Sequence, residues 1–278
     1  MLVTDGATGT NLQKRGLPRG VVGELWVLEK PEEILRLHRD FIEAGADIVL
    51  TCTFGATRLR LEHAGLAGRA EEINRKAVGL ARQAVEGTLT LVAGSIGPTG
   101  QLLKPYGPLE EEVAQASFAA QAKTLTEAGA DLLVIETQFD LGEAESAILG
   151  VRSVSQLPLV CSFSFDRGTR TMMGVGPAQA GRQLAGLGVD VVGINCGRSL
   201  DENINALKEL KEATTLPVWF KPNAGLPRLD DFGNPVYDVT PENMGFYARD
   251  WVAAGARLVG GCCGTSPEHL RAIAKAVK

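Results

Sequence analysis

The sequence predicts an α/β protein in which eight parallel strands, each followed by a helix, close into a (β/α)8 barrel. Three observations carry this. Eight short apolar runs rich in β-branched residues recur along the 278 residues. They are continuous rather than alternating, as expected of parallel strands covered on both faces. Segments of helical character lie between them. A short echo then repeats one junction, a helix end, a glycine cap and a strand start: "EAGADIVL" at 43–50, "EAGADLLV" at 127–134, "GLGVDVVG" at 186–193 and "AAGARLVG" at 253–260. The length suits one TIM barrel. No linker or low-complexity tract divides it, so residues 1–278 are expected to form a single domain. An open doubly wound sheet is the alternative that the same alternation allows.

In chain order the strand candidates are 2–6 ("LVTDG"), 47–54 ("DIVLTCTF"), 90–97 ("TLVAGSIG"), 131–138 ("DLLVIETQ"), 157–165 ("LPLVCSFSF"), 189–197 ("VDVVGINCG"), 216–225 ("LPVWFKPNAG") and 256–264 ("ARLVGGCCG"). Of the helices, 31–45 opens with Pro31 and two acids, which suit a positive helix N-terminus, and closes on glycine. Segments 110–129, 199–214 and 240–256 behave alike, and Thr240 is placed to cap the last of these. The longest stretches between elements are 14–30, 98–109 and 223–239. The last two follow strand ends, as does the loop after the first strand, which in a barrel is the active-site face.

Composition narrows the function. The formal net charge is -5, so nothing asks for nucleic acid or an anionic membrane as partner. No apolar run reaches the ~20 residues that span a bilayer, and "MLVTDGATGT" does not read as a signal peptide. Five cysteines, an odd number, point to a reducing cytoplasm rather than to a disulfide framework.

The chemistry is expected on the rim. Cys196 ends the sixth strand candidate, and the adjacent Cys262 and Cys263 end the eighth. In a closed barrel these ends share one face, so three thiolates can converge on one Zn2+ with a fourth position open. Core packing is the competing reading, because free cysteine is commonly buried. It is the expected fate of Cys52 and Cys161, which lie inside strands. Three thiolates make zinc a poor Lewis acid for hydrolysis but suit it to hold a substrate thiol as a nucleophile, which points to S-alkylation. Asp5 and Glu136 also lie at strand ends, where either can bind an ammonium group or be a solvated rim residue. The turn "DGATGT" (5–10) exposes backbone N–H groups suited to a carboxylate. Lys221, near the end of the seventh strand, invites a Schiff-base aldolase reading against a plain rim lysine. The three histidines fall in or beside helices: His38 and His63 read as surface residues and His269 as part of the last helix's first turn.

These motifs resemble the homocysteine S-methyltransferase family, most closely the N-terminal homocysteine-binding module of cobalamin-dependent methionine synthase. The matching pieces run from end to end: "DGATGTNLQ" (5–13), "EAGADIVLTCTFGATRLRLEHAGL" (43–66), "GSIGPTG" (94–100), "IETQFD" (135–140), "GINC" (193–196), "PNAGLP" (222–227) and "GGCCGTSPEH" (260–269). The resemblance implies a zinc site made by Cys196, Cys262 and Cys263, with homocysteine sulfur as the fourth ligand. It implies that Asp5 and Glu136 contact the substrate's ammonium group and the backbone of Gly6 and Ala7 its carboxylate. The product is methionine. Methylcobalamin is the expected donor, carried by a corrinoid protein or by folate and cobalamin modules in trans, because these 278 residues hold no such domain. A self-sufficient enzyme using S-methylmethionine or AdoMet is the alternative, and a non-catalytic module of a larger synthase is a further one. Two positions depart from the pattern: Cys52 stands where the module usually has Asn, and Lys221 where the family varies.

Overall fold

A computed structural model describes residues 1–230 and 235–278. Its strands are β1 (Leu2–Val3), β2 (Ile48–Leu50), β3 (Leu91–Ile96), β4 (Leu132–Gln138), β5 (Leu159–Phe163), β6 (Val191–Cys196), β7 (Val218–Pro222), β8 (Arg228–Leu229), β9 (Pro235–Val236) and β10 (Ala256–Val259). Eight of them form one parallel sheet in the order β1-β10-β7-β6-β5-β4-β3-β2. A parallel bridge between Thr4 and Ile48, with Asp47 N donating to Val3 O at 2.7 Å, joins the two edges. The result is the expected (β/α)8 barrel, not the open sheet. β8 and β9 make a small antiparallel ribbon in the loop after β7. The rest of that predicted 223–239 loop, residues 231–234, lies outside the described residues.

Side-chain alternation sorts each strand into two cores. Inside the barrel, Leu50, Ala93, Val134, Val160, Trp219 and Leu258 belong to one apolar cluster. The opposite faces of the strands meet the helices, as where Phe220 packs on Trp251 with ring centroids 5.3 Å apart. Two residues further along the strands the interior becomes polar: Ser95 follows Ala93, Glu136 follows Val134, Ser162 follows Val160 and Lys221 follows Trp219, all four buried. This polar layer caps the apolar one at the C-terminal face and forms the floor of the site.

The helices begin where the sequence places them. Thr240 accepts from Asn243 N at 3.3 Å, and Ser199 caps Leu200–Glu212 by accepting from Glu202 N at 3.2 Å. At the repeated junctions Gly45 and Gly129 take φ of +106° and +100°, the left-handed conformation that favours glycine.

Three expectations need correction. Most strands are shorter than the apolar runs, because the run ends leave the sheet to build loops; 256–264 pairs only over Ala256–Val259. The stretch 14–30 is not all loop, since Gly23–Glu29 is helical and buries Glu24, Trp26 and Val27. His38 is buried, not on the surface. It shares the inner face of Pro31–Glu43 with Ile34, Leu37 and Phe41, the i, i+3, i+4, i+7 set, and burial lowers its pKa to about 4. His63 is exposed. His269 lies in the first turn of Pro267–Val277 as expected and completes a capping box with Ser266.

Candidate active site

The three rim cysteines meet. The Sγ atoms of Cys196, Cys262 and Cys263 all lie within 4.8 Å of one another, and those of Cys196 and Cys262 are 3.1 Å apart. Each reaches this point by an unusual backbone. Cys196 ends β6 at φ +60°, a left-handed conformation rare for any residue but glycine. Asn203 Nδ2 and Asn223 N hold it there by donating to its carbonyl at 2.7 and 3.2 Å. The adjacent pair is turned by the glycines before it. A Cβ on Gly260 would lie 2.0 Å from Thr4 Oγ1, and one on Gly261 would lie 2.4 Å from Thr265 Cγ2. Thr265 locks the turn by donating through Oγ1 to Cys262 O at 2.6 Å. Cys262 N donates to Pro222 O at 2.8 Å, and Ala224 N to Cys263 O at 2.9 Å. Two neighbouring thiols thus face one point because the chain bends between glycines.

The cluster suits a thiophilic ion. Zinc–sulfur bonds of about 2.3 Å place tetrahedral sulfurs about 3.8 Å apart, within the span of this cluster. The protons are unevenly shared. Hydrogen bonds from Cys196, Cys262 and Tyr237 hold Cys263 well below the ordinary thiol range. Its bonds to Cys262 and Cys263 push Cys196 well up. For Cys262 the bond to Cys196 pulls down but is outweighed by Cys263 and burial, leaving it raised to about 12.

The cluster opens onto a cavity of about 490 Å3 that includes Gly6, Ala7, Phe54, Glu136 and Lys221 in its wall. Glu136 is buried, and Ser95 Oγ donates to its Oε1 at 2.5 Å. Desolvation raises its pKa to about 7 against the opposing pull of Lys221. Asp5 is fully enclosed: Oδ1 accepts from Lys221 Nζ at 2.6 Å and Oδ2 from Leu50 N at 2.7 Å. Asp5 is absent from the cavity wall, whereas Lys221 is part of it. Lys221 is therefore neither a solvated rim lysine nor a free amine. Burial penalises its cation, but Asp5 and Glu136 more than offset this and raise its pKa. The N–H of Ala7 donates to Thr265 Oγ1 at 3.1 Å. Among the described residues no group accepts from the N–H of Gly6. Cys52 is buried in the cavity wall, and Cys161 lies in the core as expected.

Sequence reasoning missed the residues that hold these groups. Asn195 accepts from Thr137 N at 2.8 Å and from Ser162 Oγ at 2.6 Å, and donates to Thr137 Oγ1 at 2.7 Å. It thereby ties together Thr137 (φ +62°) and its own neighbour Cys196, the two non-glycine residues with positive φ among the described residues. The available signal was parity: Ser95, Ser162, Asn195 and Lys221 are polar residues at inward positions of apolar runs. Thr265 and Tyr237, which hold the turn and Cys263, carry no such signal.

A parallel barrel that gathers three thiols and a buried carboxylate around a small cavity at its C-terminal face has the layout of an enzyme pairing a soft metal ion with a small polar substrate. The chain belongs to the homocysteine S-methyltransferase family, whose sequence profile matches residues 2–277. It is 32% identical over 294 aligned residues to the methionine synthases of Mycobacterium tuberculosis and Mycobacterium leprae, covering all of this chain and 24% of each relative. The chain thus spans about a quarter of the length of the curated relatives it matches. Among solved structures it is similar to the homocysteine methyltransferase MmuM from Escherichia coli. The metallated form matches with a TM-score of 0.84 and 31% identity over 99% of this chain and 96% of that one. The apo form matches with a TM-score of 0.77 and 29% identity.

Proposed function

We propose that the chain binds homocysteine and supports transfer of a methyl group to its sulfur, giving methionine. The observation that carries this is the convergence of Cys196, Cys262 and Cys263 beside a cavity with ample room for an amino acid, in a chain of this family. Their donor set fits Zn2+, which would accept the substrate's sulfur in its remaining position and keep it deprotonated yet nucleophilic.

The chain's own residues do the rest. Glu136, when ionised, accepts the substrate's ammonium group, with Ser95 fixing its Oε1. The N–H of Gly6, which meets no acceptor among the described residues, lies beside Ala7 and suits the carboxylate. Leu50, Cys52 and Phe54 line the cavity and exclude water from the sulfur. Asn195 and Thr265 keep the thiols convergent.

The donor we favour is methylcobalamin on a separate corrinoid protein or on folate and cobalamin modules, in a reducing cytoplasm. The multidomain length of the methionine synthase relatives supports it. A self-sufficient enzyme using S-methylmethionine or AdoMet is the second reading, supported by the match to 96% of the single-barrel MmuM chain. The test is methionine formation from homocysteine by the purified zinc-loaded protein, with free methylcobalamin in one tube and S-methylmethionine in another. Turnover with methylcobalamin alone supports the corrinoid reading. Turnover with the sulfonium alone replaces it by the second. No turnover in either tube, with S-adenosylmethionine also inert, overturns catalysis by this chain and leaves a binding module.

A further inference from the structure

We propose that Lys221 is a specificity-determining residue that binds the carboxylate of the substrate, and that Asp5 is the positioning residue that aims it. This rests on the reading of the site as one for a small thiol amino acid and deepens it.

The argument is one of access. An ammonium-binding aspartate must present an oxygen to the ligand, and Asp5 presents none. Its Oδ1 is turned to Lys221 Nζ and its Oδ2 to Leu50 N, and it takes no part in the cavity wall. The group that reaches the cavity from this corner is Lys221. Its Nζ has three N–H donors. One is spent on Asp5 at 2.6 Å, and the Nζ meets no other hydrogen-bond acceptor among the described residues. The Trp219 ring lies beneath at 5.6 Å from the Nζ, so the side chain cannot withdraw into the barrel. A buried, anchored cation with donors to spare is a site for an anion.

The charges of the cavity then fall into a pattern. Glu136 offers a negative pole and Lys221 a positive one in the same wall, matching the ammonium and carboxylate that an α-amino acid carries on one carbon. The Gly6 N–H can serve the second carboxylate oxygen. Asp5 neutralises Lys221 rather than the ligand, so the amino group depends on Glu136 alone and contributes less than the carboxylate.

The test uses three thiols of equal length on zinc-loaded protein: homocysteine, 4-mercaptobutyrate, which lacks the amino group, and 3-aminopropane-1-thiol, which lacks the carboxylate. Dissociation constants are measured by calorimetry for wild type, Lys221→Met and the double variant Asp5→Asn/Lys221→Met. The double variant matters because Lys221→Met alone strands a buried charge and threatens folding. Wild type should bind 3-aminopropane-1-thiol about 100-fold more weakly than homocysteine, as loss of a buried charged contact implies. In the double variant that penalty should fall to under about a tenth of its wild-type value, with zinc content and melting temperature checked in parallel. A penalty that persists undiminished in the double variant overturns the assignment. So does wild-type binding of 3-aminopropane-1-thiol as tight as that of 4-mercaptobutyrate, while homocysteine binding itself would still stand. If wild type binds 4-mercaptobutyrate but not homocysteine, the homocysteine reading fails and the carboxylate assignment survives.

Discussion

Glu136 and His38 pull the pH dependence of the protein in opposite directions. The folded-state pKa of Glu136 is about 7, above its ordinary 4.5, so between those values the folded chain holds a proton that the unfolded chain has lost. Stability therefore falls as pH rises through that window. His38 is the reverse: its folded value is about 4 against 6.5, so between these the unfolded chain holds the extra proton and stability rises with pH. Each is worth about 3 kcal/mol across its window. Relative to wild type, Glu136→Gln should therefore gain about 3 kcal/mol in stability from pH 4.5 to 7, and His38→Gln should lose about as much from pH 4 to 6.5. Urea unfolding at a series of pH values measures both, and parallel curves for all three proteins would contradict the assignment. Under the proposed function the same carboxylate should also govern homocysteine binding. The KM for homocysteine should fall about tenfold per pH unit up to about 7 and then level, because only ionised Glu136 accepts the ammonium. In Glu136→Gln the profile should lose this slope. The thiols give a third test. Cys262→Ser or Cys263→Ser should lose zinc on dialysis, and full occupancy in both variants would remove them as ligands.

At the scale of elements, the turn after β10 is where substitution should hurt most. Gly260→Ala places a methyl group 2.0 Å from Thr4 Oγ1 with backbone oxygens at 2.8 Å, and nothing rigid there can give way. A loss of about 2–3 kcal/mol is expected from such overpacking. Thr240→Ala, which removes one exposed cap, should cost about 1 kcal/mol. Thermal melts of the two variants should rank in that order, and a Gly260→Ala protein as stable as Thr240→Ala would contradict the close approach. The strands themselves were legible because parallel strands buried on both faces leave an unbroken apolar record. Their ends were not, because the same apolar residues continue into loops that pack rather than pair. The thiol cluster was legible from strand-end placement and family motifs together. The Asp5–Lys221 pair was not: 216 residues separate its members, and nothing local in either stretch points to the other. His38 was misread for a related reason. A lone polar residue on an otherwise apolar helix face looks the same in sequence whether the face is buried fully or only at its edges.

For the molecule as a whole, the barrel closes between its two termini. β1 pairs with β10 at Leu2–Leu258 and Val3–Val259, and Gly261 N donates to Asp5 O at 3.2 Å. Contacts between residues so far apart in sequence form late, since loop closure must precede them. During synthesis β1 can meet β2 early, through Thr4 and Ile48, but its other edge waits for β10. Asp5 leaves the ribosome early and remains without Lys221 until four-fifths of the described chain has followed it. The pair of thiols that completes the cluster follows β10, with Cys262 66 residues after Cys196. A site that needs all three cysteines can therefore form only once β10 has joined β1, and the seam between these two strands is the point at which a chaperone would find the barrel unfinished.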